Sequence, residues 1–313
     1  MQLLLCNAAY NYSLTAKFFT KDEETEWKVN HGVTISVSED GKTATYGLYP
    51  QSLVTDENLI SSLETVTKAD GNGWYYYDDE YYAKVSSTIS PPSTVTFDNG
   101  ELIVRGKTYW FKCEPLIWNI VVDMYSNPIL LSSKLIDNQR FYNGVTNKPR
   151  KINGNDVYPN NYQYSDIRTW LNNDFKNTAF YLESSLLLRY YSNNSAITTN
   201  STSYNPYCCN ETTESIFLPS YRDYINSHAG FPDNTNETST RECKTTEYAR
   251  AVGSRCSMDA DYLYNGSYYT RSPWYSGYGS SFSDIAGIDY KGKISYEGME
   301  ESVRPAIRIE LPK

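Results

Sequence analysis

Two histidines, His31 and His228, and six cysteines supply all the imidazole and thiol chemistry of this 313-residue chain. Their spacing does not build a metal centre. Cys208 and Cys209 are adjacent, Cys243 and Cys256 enclose twelve residues, Cys6 and Cys113 stand apart, and no CxxC pair occurs. A disulfide between Cys243 and Cys256 in an oxidising compartment is one reading of that spacing, and free buried thiols are the other. Serine or cysteine catalysis would have to recruit one of the two histidines, yet the chain has no Gly-x-Ser-x-Gly elbow and its adjacent cysteines fall in a polar segment. Asp78, Asp79, Glu80, Asp259, Asp261 and Asp284 could furnish the paired carboxylates of a glycosidase, although such residues usually form solvated faces. There is no glycine-rich phosphate loop. No cofactor or metal is expected, and a non-enzymatic role is favoured over a catalytic one.

Recognition chemistry is better represented. The chain has 31 tyrosines, bunched at Tyr75–Tyr77, Tyr81–Tyr82, Tyr190–Tyr191, Tyr262–Tyr269 and Tyr275–Tyr278. A ring with an apolar body and a polar tip suits wet recognition surfaces, and a compositional bias toward Asn, Tyr and Ser explains the same count. Trp274, Tyr275 and Tyr278 sit in a Gly/Ser-rich segment without periodicity, as a binding loop on a rigid scaffold would. Arg304, before Pro305 and an apolar strand, either binds a carboxylate ligand or pairs internally, with Asp166 or Glu183 as candidates; Arg168 and Arg271 invite the same choice. The net charge of −9 and the absence of a Lys/Arg cluster argue against nucleic acid as a partner. The most apolar run, Leu116 to Val122, is too short to span a bilayer. Six N-x-S/T sequons, at Asn11, Asn193, Asn200, Asn210, Asn236 and Asn265, are no more than a chain this rich in Asn, Ser and Thr gives by chance.

The elements that must carry these residues read as strands, then helices, then strands. Met1 to Asn7 resembles the end of a lipoprotein signal without its basic and apolar regions, and reads as a first strand. Thr34–Ser38 and Thr43–Tyr46 alternate about a turn and predict a hairpin, and a short helix follows with Thr55 as cap. A β meander follows at 74–77, 94–97, 102–104, 108–113, 116–123 and 129–132. Ser165 caps a helix whose Ile167, Trp170, Leu171 and Phe175 share a face, and Phe180, Leu182, Leu186 and Leu187 predict a second. Residues 192–214 read as a long exposed loop, and short helices are expected at 220–227 and 245–252. Strands close the chain. This order defines an α+β fold.

Seven phrases, taken in order, resemble a family of uncharacterised bacterial and phage domains. They are Tyr46-Gly47-Leu48-Tyr49-Pro50-Gln51-Ser52, the run from Tyr109 to Trp118, Ser165-Asp166-Ile167-Arg168-Thr169-Trp170-Leu171-Asn172, Phe217-Leu218-Pro219-Ser220, Thr246-Glu247-Tyr248-Ala249, Arg271-Ser272-Pro273 and Val303-Arg304-Pro305-Ala306. The second half resembles, more distantly, the C-type-lectin fold of formylglycine-generating-enzyme-like domains, through Leu218-Pro219-Ser220, Ser272 to Ser276, Gly287 to Gly292 and Val303-Arg304-Pro305. That resemblance implies a mixed antiparallel sheet with flanking helices and long loops, in which the two ends of the domain share a sheet. It does not imply a calcium site, because Glu114-Pro115 is followed by Leu116 and Trp118-Asn119 by Ile120; nor the redox cysteine pair of the generating enzymes, because no cysteine follows Cys256.

Together these readings predict a β-hairpin region over 1–45 and a lectin-like domain over 46–313. They predict a secreted or surface-displayed adhesion domain that binds a glycan or protein ligand. A carbohydrate-active enzyme and a structural module of an envelope or phage protein are the alternatives. The sequence does not set the oligomeric state.

Overall fold

The computed structural model describes residues 20–67, 70–91, 93–201, 203–277, 283–298 and 300–310; the strand expected at 1–7, Cys6 and Tyr278 lie outside them. A capping box opens helix α1 (Lys21–Asn30): the Thr20 hydroxyl accepts from the Glu23 N–H, and the Glu23 carboxylate accepts from the Thr20 N–H. The helix buries no residue fully. It is tied down beyond its end, where each ring nitrogen of buried His31 lies 2.8 Å from a carbonyl oxygen, one of Trp27 and one of Asp79. Gly32, at φ +64°, then accepts from the Gly47 N–H at 2.8 Å. A Cβ on Gly32 would lie 2.3 Å from the Gly47 oxygen, so only glycine permits this approach.

Strands β1 (Ser36–Val37) and β2 (Thr43–Leu53) form the expected hairpin, with Ser36 opposite Thr45. The boundary expected at 45/46 falls within β2, where its pairing with the next long strand shifts register between Thr45 and Leu48. Helix α2 (Glu57–Leu63) is capped by Asp56 rather than Thr55. Strands β3 (Trp74–Tyr77) and β4 (Glu80–Ser86) join through Asp78 and Asp79, both at positive φ, as a two-residue hairpin turn requires. The spine of the sheet is β5 (Thr108–Val122), where the sequence predicted two strands. Pro115 has no N–H to pair and invites that division, but β2 shifts register opposite it. The Gln51 side-chain amide donates to the Glu114 and Pro115 carbonyls at 3.0 and 3.1 Å. Segments 94–97 and 102–104 meet at an isolated Thr96–Leu102 bridge, where the Ile103 N–H donates to the Val95 carbonyl at 3.0 Å, and form no longer ladder.

Strand β5 carries β2 on one edge and β4 and then β6 (Pro128–Ser132) on the other. Next come β7 (Asp137–Arg140) and a small hairpin of β8 (Arg150–Ile152) and β9 (Asn155–Val157). Ser165 caps α3 (Asp166–Trp170), which continues through a π turn (Leu171–Phe175) into α4 (Lys176–Ala179). The second helix expected from Phe180 does not form: Phe180 ends α4, and the chain passes irregularly to β10 (Tyr190–Ser192). Phe180 and Leu187 instead enter the core separately.

The chain then adds β11 (Thr212–Glu214), β12 (Ile216–Phe217) and a helix α5 (Glu247–Ala251) capped by Thr246. It finishes with β13 (Tyr268–Pro273), β14 (Ile285–Ile288), β15 (Ile294–Glu297), β16 (Glu300–Val303) and β17 (Ala306–Ile307). One sheet has eight strands and runs β1-β2-β5-β6-β17-β12, with β3 and β4 branching from β5, so β2 and β17 lie in the same sheet. A second, five-stranded sheet runs β15-β14-β13-β16-β7, with β13 and β16 parallel and the other pairs antiparallel. The main core joins Tyr46, Leu48 and Trp118 to Phe175, Phe180, Leu187 and Ile307, so both halves bury one interior. The architecture is α+β. No helix among the described residues is long and apolar enough to cross a membrane.

The five described cysteines are all free thiols, which corrects the Cys243–Cys256 disulfide. Backbone runs between the two: the Gly266 N–H donates to the Cys243 carbonyl at 3.0 Å, and Gly266 bridges Cys256 on its other side. Two strand spacings separate their α carbons by about 9–10 Å, beyond the roughly 7 Å a disulfide spans.

Candidate functional site

Residues 192–214, expected to be an exposed loop, are folded inward: Asn194, Thr198, Thr199, Asn205, Thr212 and Glu214 are all buried. Outside the β10–β11 ladder, the side chains of Asn194, Thr198, Thr199 and Asn205 bond to backbone carbonyls in place of strand pairing. Two amides of this segment shape a surface. The Asn200 amide grips Tyr275 from both sides, accepting from its N–H at 3.1 Å and donating to its carbonyl at 2.8 Å. The Asn205 amide donates to the Pro273 carbonyl at 3.0 Å while its oxygen accepts from the Tyr207 N–H. Segment 273–275 is thereby fixed against the 200–207 turn.

On that clamped backbone the rings gather. Tyr275 meets Tyr204 and Tyr207 edge to face, each at 6.1 Å between centroids, and Tyr207 meets Tyr158 at 5.1 Å in the same manner. Tyr204 is 62% exposed, while Tyr158, Tyr207 and Tyr275 are half-buried. Trp274 takes the other direction. Its ring packs edge-on against Tyr221 at 6.3 Å, and its backbone N–H donates to the Asp284 carbonyl at 3.0 Å. The same carbonyl accepts from the buried Asn160 side chain at 3.0 Å. Asp284 in turn helps to line a cleft of about 620 Å³ with Arg140, Tyr142, Thr146, Asn147 and Ser283. Asp284 is the only carboxylate among its described lining residues. Arg150 lies over the Tyr142 ring at 4.6 Å.

The structure brings Trp274 and Tyr275 to this surface and places Arg304 elsewhere. Arg304 is 4% exposed; its Nε donates to the Ser132 carbonyl at 3.0 Å and its Nη1 to the Tyr268 hydroxyl at 2.8 Å. Burial lowers its pKa, but charge interactions with Cys243 and Tyr268 and the Tyr268 hydrogen bond leave it above the ordinary value. Neither Asp166 nor Glu183 reaches it: they accept from the Asn143 and Ser185 N–H groups instead. Arg168 and Arg271 do find carboxylates, Glu214 at 3.0 Å and Asp223 at 3.4 Å.

The other candidate chemistry is dispersed. Among the described residues no three His, Cys, Asp or Glu side chains converge as metal ligands. Asp78, Asp79 and Glu80 lie at the β3–β4 turn, Asp259 caps a short turn containing Asp261, and Asp284 is at the cleft. Burial pushes the thiols of Cys208 and Cys209 up to about 12 and about 11, so both are protonated at neutral pH. Tyr158, Tyr204 and Tyr207 were not foreseen as surface residues. The only signal was the density of tyrosine itself, because their meeting depends on the Asn200 and Asn205 bonds.

Taken together, the two sheets make an α+β domain that carries the aromatic loop surface on irregular chain between β9 and β14. The chain belongs to the family described as domain of unknown function DUF6273, whose model matches residues 126–311, more than half of its length. That span opens in the β5–β6 turn and contains the whole aromatic surface, whereas β1 to β5 precede it. No curated protein and no solved structure matches the chain, so the resemblance to lectin-like folds finds no structural counterpart.

Proposed function

We propose that this domain binds carbohydrate without turning it over, through the surface formed by Tyr158, Tyr204, Tyr207, Tyr275 and Trp274. The observation that carries the reading is the clamped segment 273–275, which holds half-exposed rings in place before any ligand arrives. Fixed aromatic faces bury sugar C–H surface at little cost in side-chain entropy, and phenolic hydroxyls bond to sugar hydroxyls. The cleft adds polar groups at the same hairpin base. Its single described carboxylate favours binding over hydrolysis, which uses two. A protein ligand would use the same rings. Display outside the cell suits a glycan ligand, although the free thiols remove the disulfide argument for an oxidising setting.

A glycan array probed with the purified protein, once with calcium and once with chelator, tests this reading. Chelator-insensitive signals that fall at least tenfold in Tyr275→Ala and Trp274→Ala are expected. Silence across the array would transfer the surface to a protein ligand, and release of reducing ends from a bound oligosaccharide would establish the carbohydrate-active-enzyme alternative instead.

A further inference from the structure

Consecutive residues divide the aromatic surface into two faces. Tyr275 turns to Tyr204 and Tyr207, whereas Trp274 turns to Tyr221, and over that same Tyr221 ring lies Arg222, its guanidinium carbon 5.5 Å from the centroid. Arg222 is half-buried, and its Nε is shielded from solvent without any acceptor. Among the described residues it takes part in no ion pair. The carboxylate beside it in sequence, Asp223, points inward: it accepts from the Ser220 N–H and hydroxyl, the Met124 N–H and Arg271. Arg250 and Arg271 share an Nε without an acceptor, so Arg222 differs from the buried arginines of this half of the chain in the partners of its other nitrogens. Arg241 is spent on backbone carbonyls, Arg271 on Asp223 and Arg250 on Asp98.

A guanidinium is charged at every physiological pH, and its planar fork matches a carboxylate or a phosphate with two parallel hydrogen bonds. Over the Tyr221 ring Arg222 is held in advance, and Trp274 meets the same ring edge to face. A chain with a net charge of −9 repels anions over most of its surface, so an acidic ligand needs a local cation of this kind. We propose that Arg222, held on Tyr221 beside Trp274, is an anion-recognising element of the surface, and that the preferred ligand is a sugar carrying a carboxylate or phosphate group. The sugar ring would lie against Trp274 and the charge against Arg222. This inference rests on the glycan-binding reading and adds the ligand's charge to it.

The test compares the full chain with Arg222→Gln and Arg222→Lys on an array that holds neutral oligosaccharides, their uronate-containing counterparts and sugar phosphates. The unmodified protein is expected to prefer charged members about tenfold over matched neutral ones, and added salt should reduce that preference. Arg222→Gln should abolish the preference while neutral binding stays, and Arg222→Lys should keep part of it, because a point charge lacks the fork. Whether uronates or sugar phosphates bind more tightly identifies which source supplies the anion. Equal binding of charged and neutral glycans, or a full preference retained by Arg222→Gln, overturns the inference and leaves the glycan reading standing. No binding to any member ends both.

Discussion

Residues 20–122 and residues 126–310 bury one continuous core but hold it by different means. In the first stretch the buried polar residues are few, His31, Gln51 and Ser87, and long strands satisfy the backbone through their ladders. In the second, strands of two to six residues alternate with irregular chain, and buried Asn, Ser, Thr and Arg side chains bond to carbonyls that no ladder reaches. Arg241 shows the extreme case: fully buried, it donates to the carbonyls of Gly292, Tyr224, Pro232, Asn234 and Asn236. Regular pairing yields a stiff frame, and side-chain stitching yields loops that keep a fixed but irregular shape. A recognition surface needs the second kind.

The sharpest way to break this comparison is to remove a stitch. Arg271→Met leaves buried Asp223 without its counter-charge and should cost roughly 3–5 kcal/mol in urea unfolding; a cost below about 1 kcal/mol would show that packing alone holds the second stretch. The seam between the stretches offers the next largest effect. There the Tyr49 hydroxyl donates to Asp137 at 2.5 Å, and burial pushes the Asp137 carboxyl up to about 6, against its hydrogen bonds from Tyr49, Asn138 and Gln139. The folded pKa lies above the unfolded value, so the folded state binds the proton more tightly. The contribution of Asp137 to stability should be fully present below about pH 4 and fall by up to roughly 3 kcal/mol as pH rises through 6. Asp137→Asn should flatten that slope in unfolding curves run across this range. Within the first stretch, Gly47 sits at φ +80°, and a Cβ there would lie 2.6 Å from the Phe180 ring. Gly47→Ala should therefore lower stability by about 2 kcal/mol, measured by thermal melting. Thr20→Ala should have the smallest effect: about 1 kcal/mol on α1, seen as faster amide exchange there, with little change in global unfolding because the helix buries no residue fully.

Legibility followed the same divide. Alternation predicted the β1–β2 hairpin, and Ser165 with Ile167, Trp170, Leu171 and Phe175 predicted the start of α3, because cap and apolar spacing agreed. Helix α1 was missed although Thr20-x-x-Glu23 announces a capping box; its face has too few apolar residues for periodicity to register. The β8–β9 hairpin was missed although Asn153-Gly154 is a strong turn signal, and both residues adopt positive φ. Pro115 concealed the continuity of β5. Residues 192–214 could not be read as buried, since Asn and Thr look alike in solvent and in a stitch; what distinguishes them is a distant carbonyl, such as that of Pro273 or Tyr275. Trp274 and Tyr275 were singled out from an aperiodic Gly/Ser-rich segment, and the structure shows them beside the 200–207 turn, whereas an arginine before a strand does not reveal that its acceptors will be the Ser132 carbonyl and the Tyr268 hydroxyl.

The place of β17 between β6 and β12 also bears on how the chain is made. Strand β6 hydrogen-bonds to its immediate predecessor β5 on one side and to Ala306–Ile307 on the other. During synthesis the first side can pair at once, while the second waits until nearly all the remaining described chain has left the ribosome. Through that interval Ile129 to Leu131 stand as an open, apolar edge, the kind that nascent chains pair wrongly with one another and that chaperones cover. Closing such a distant pair is slow. Of the described strands, the eight-stranded sheet thus holds both the first five and the one that closes it last in chain order.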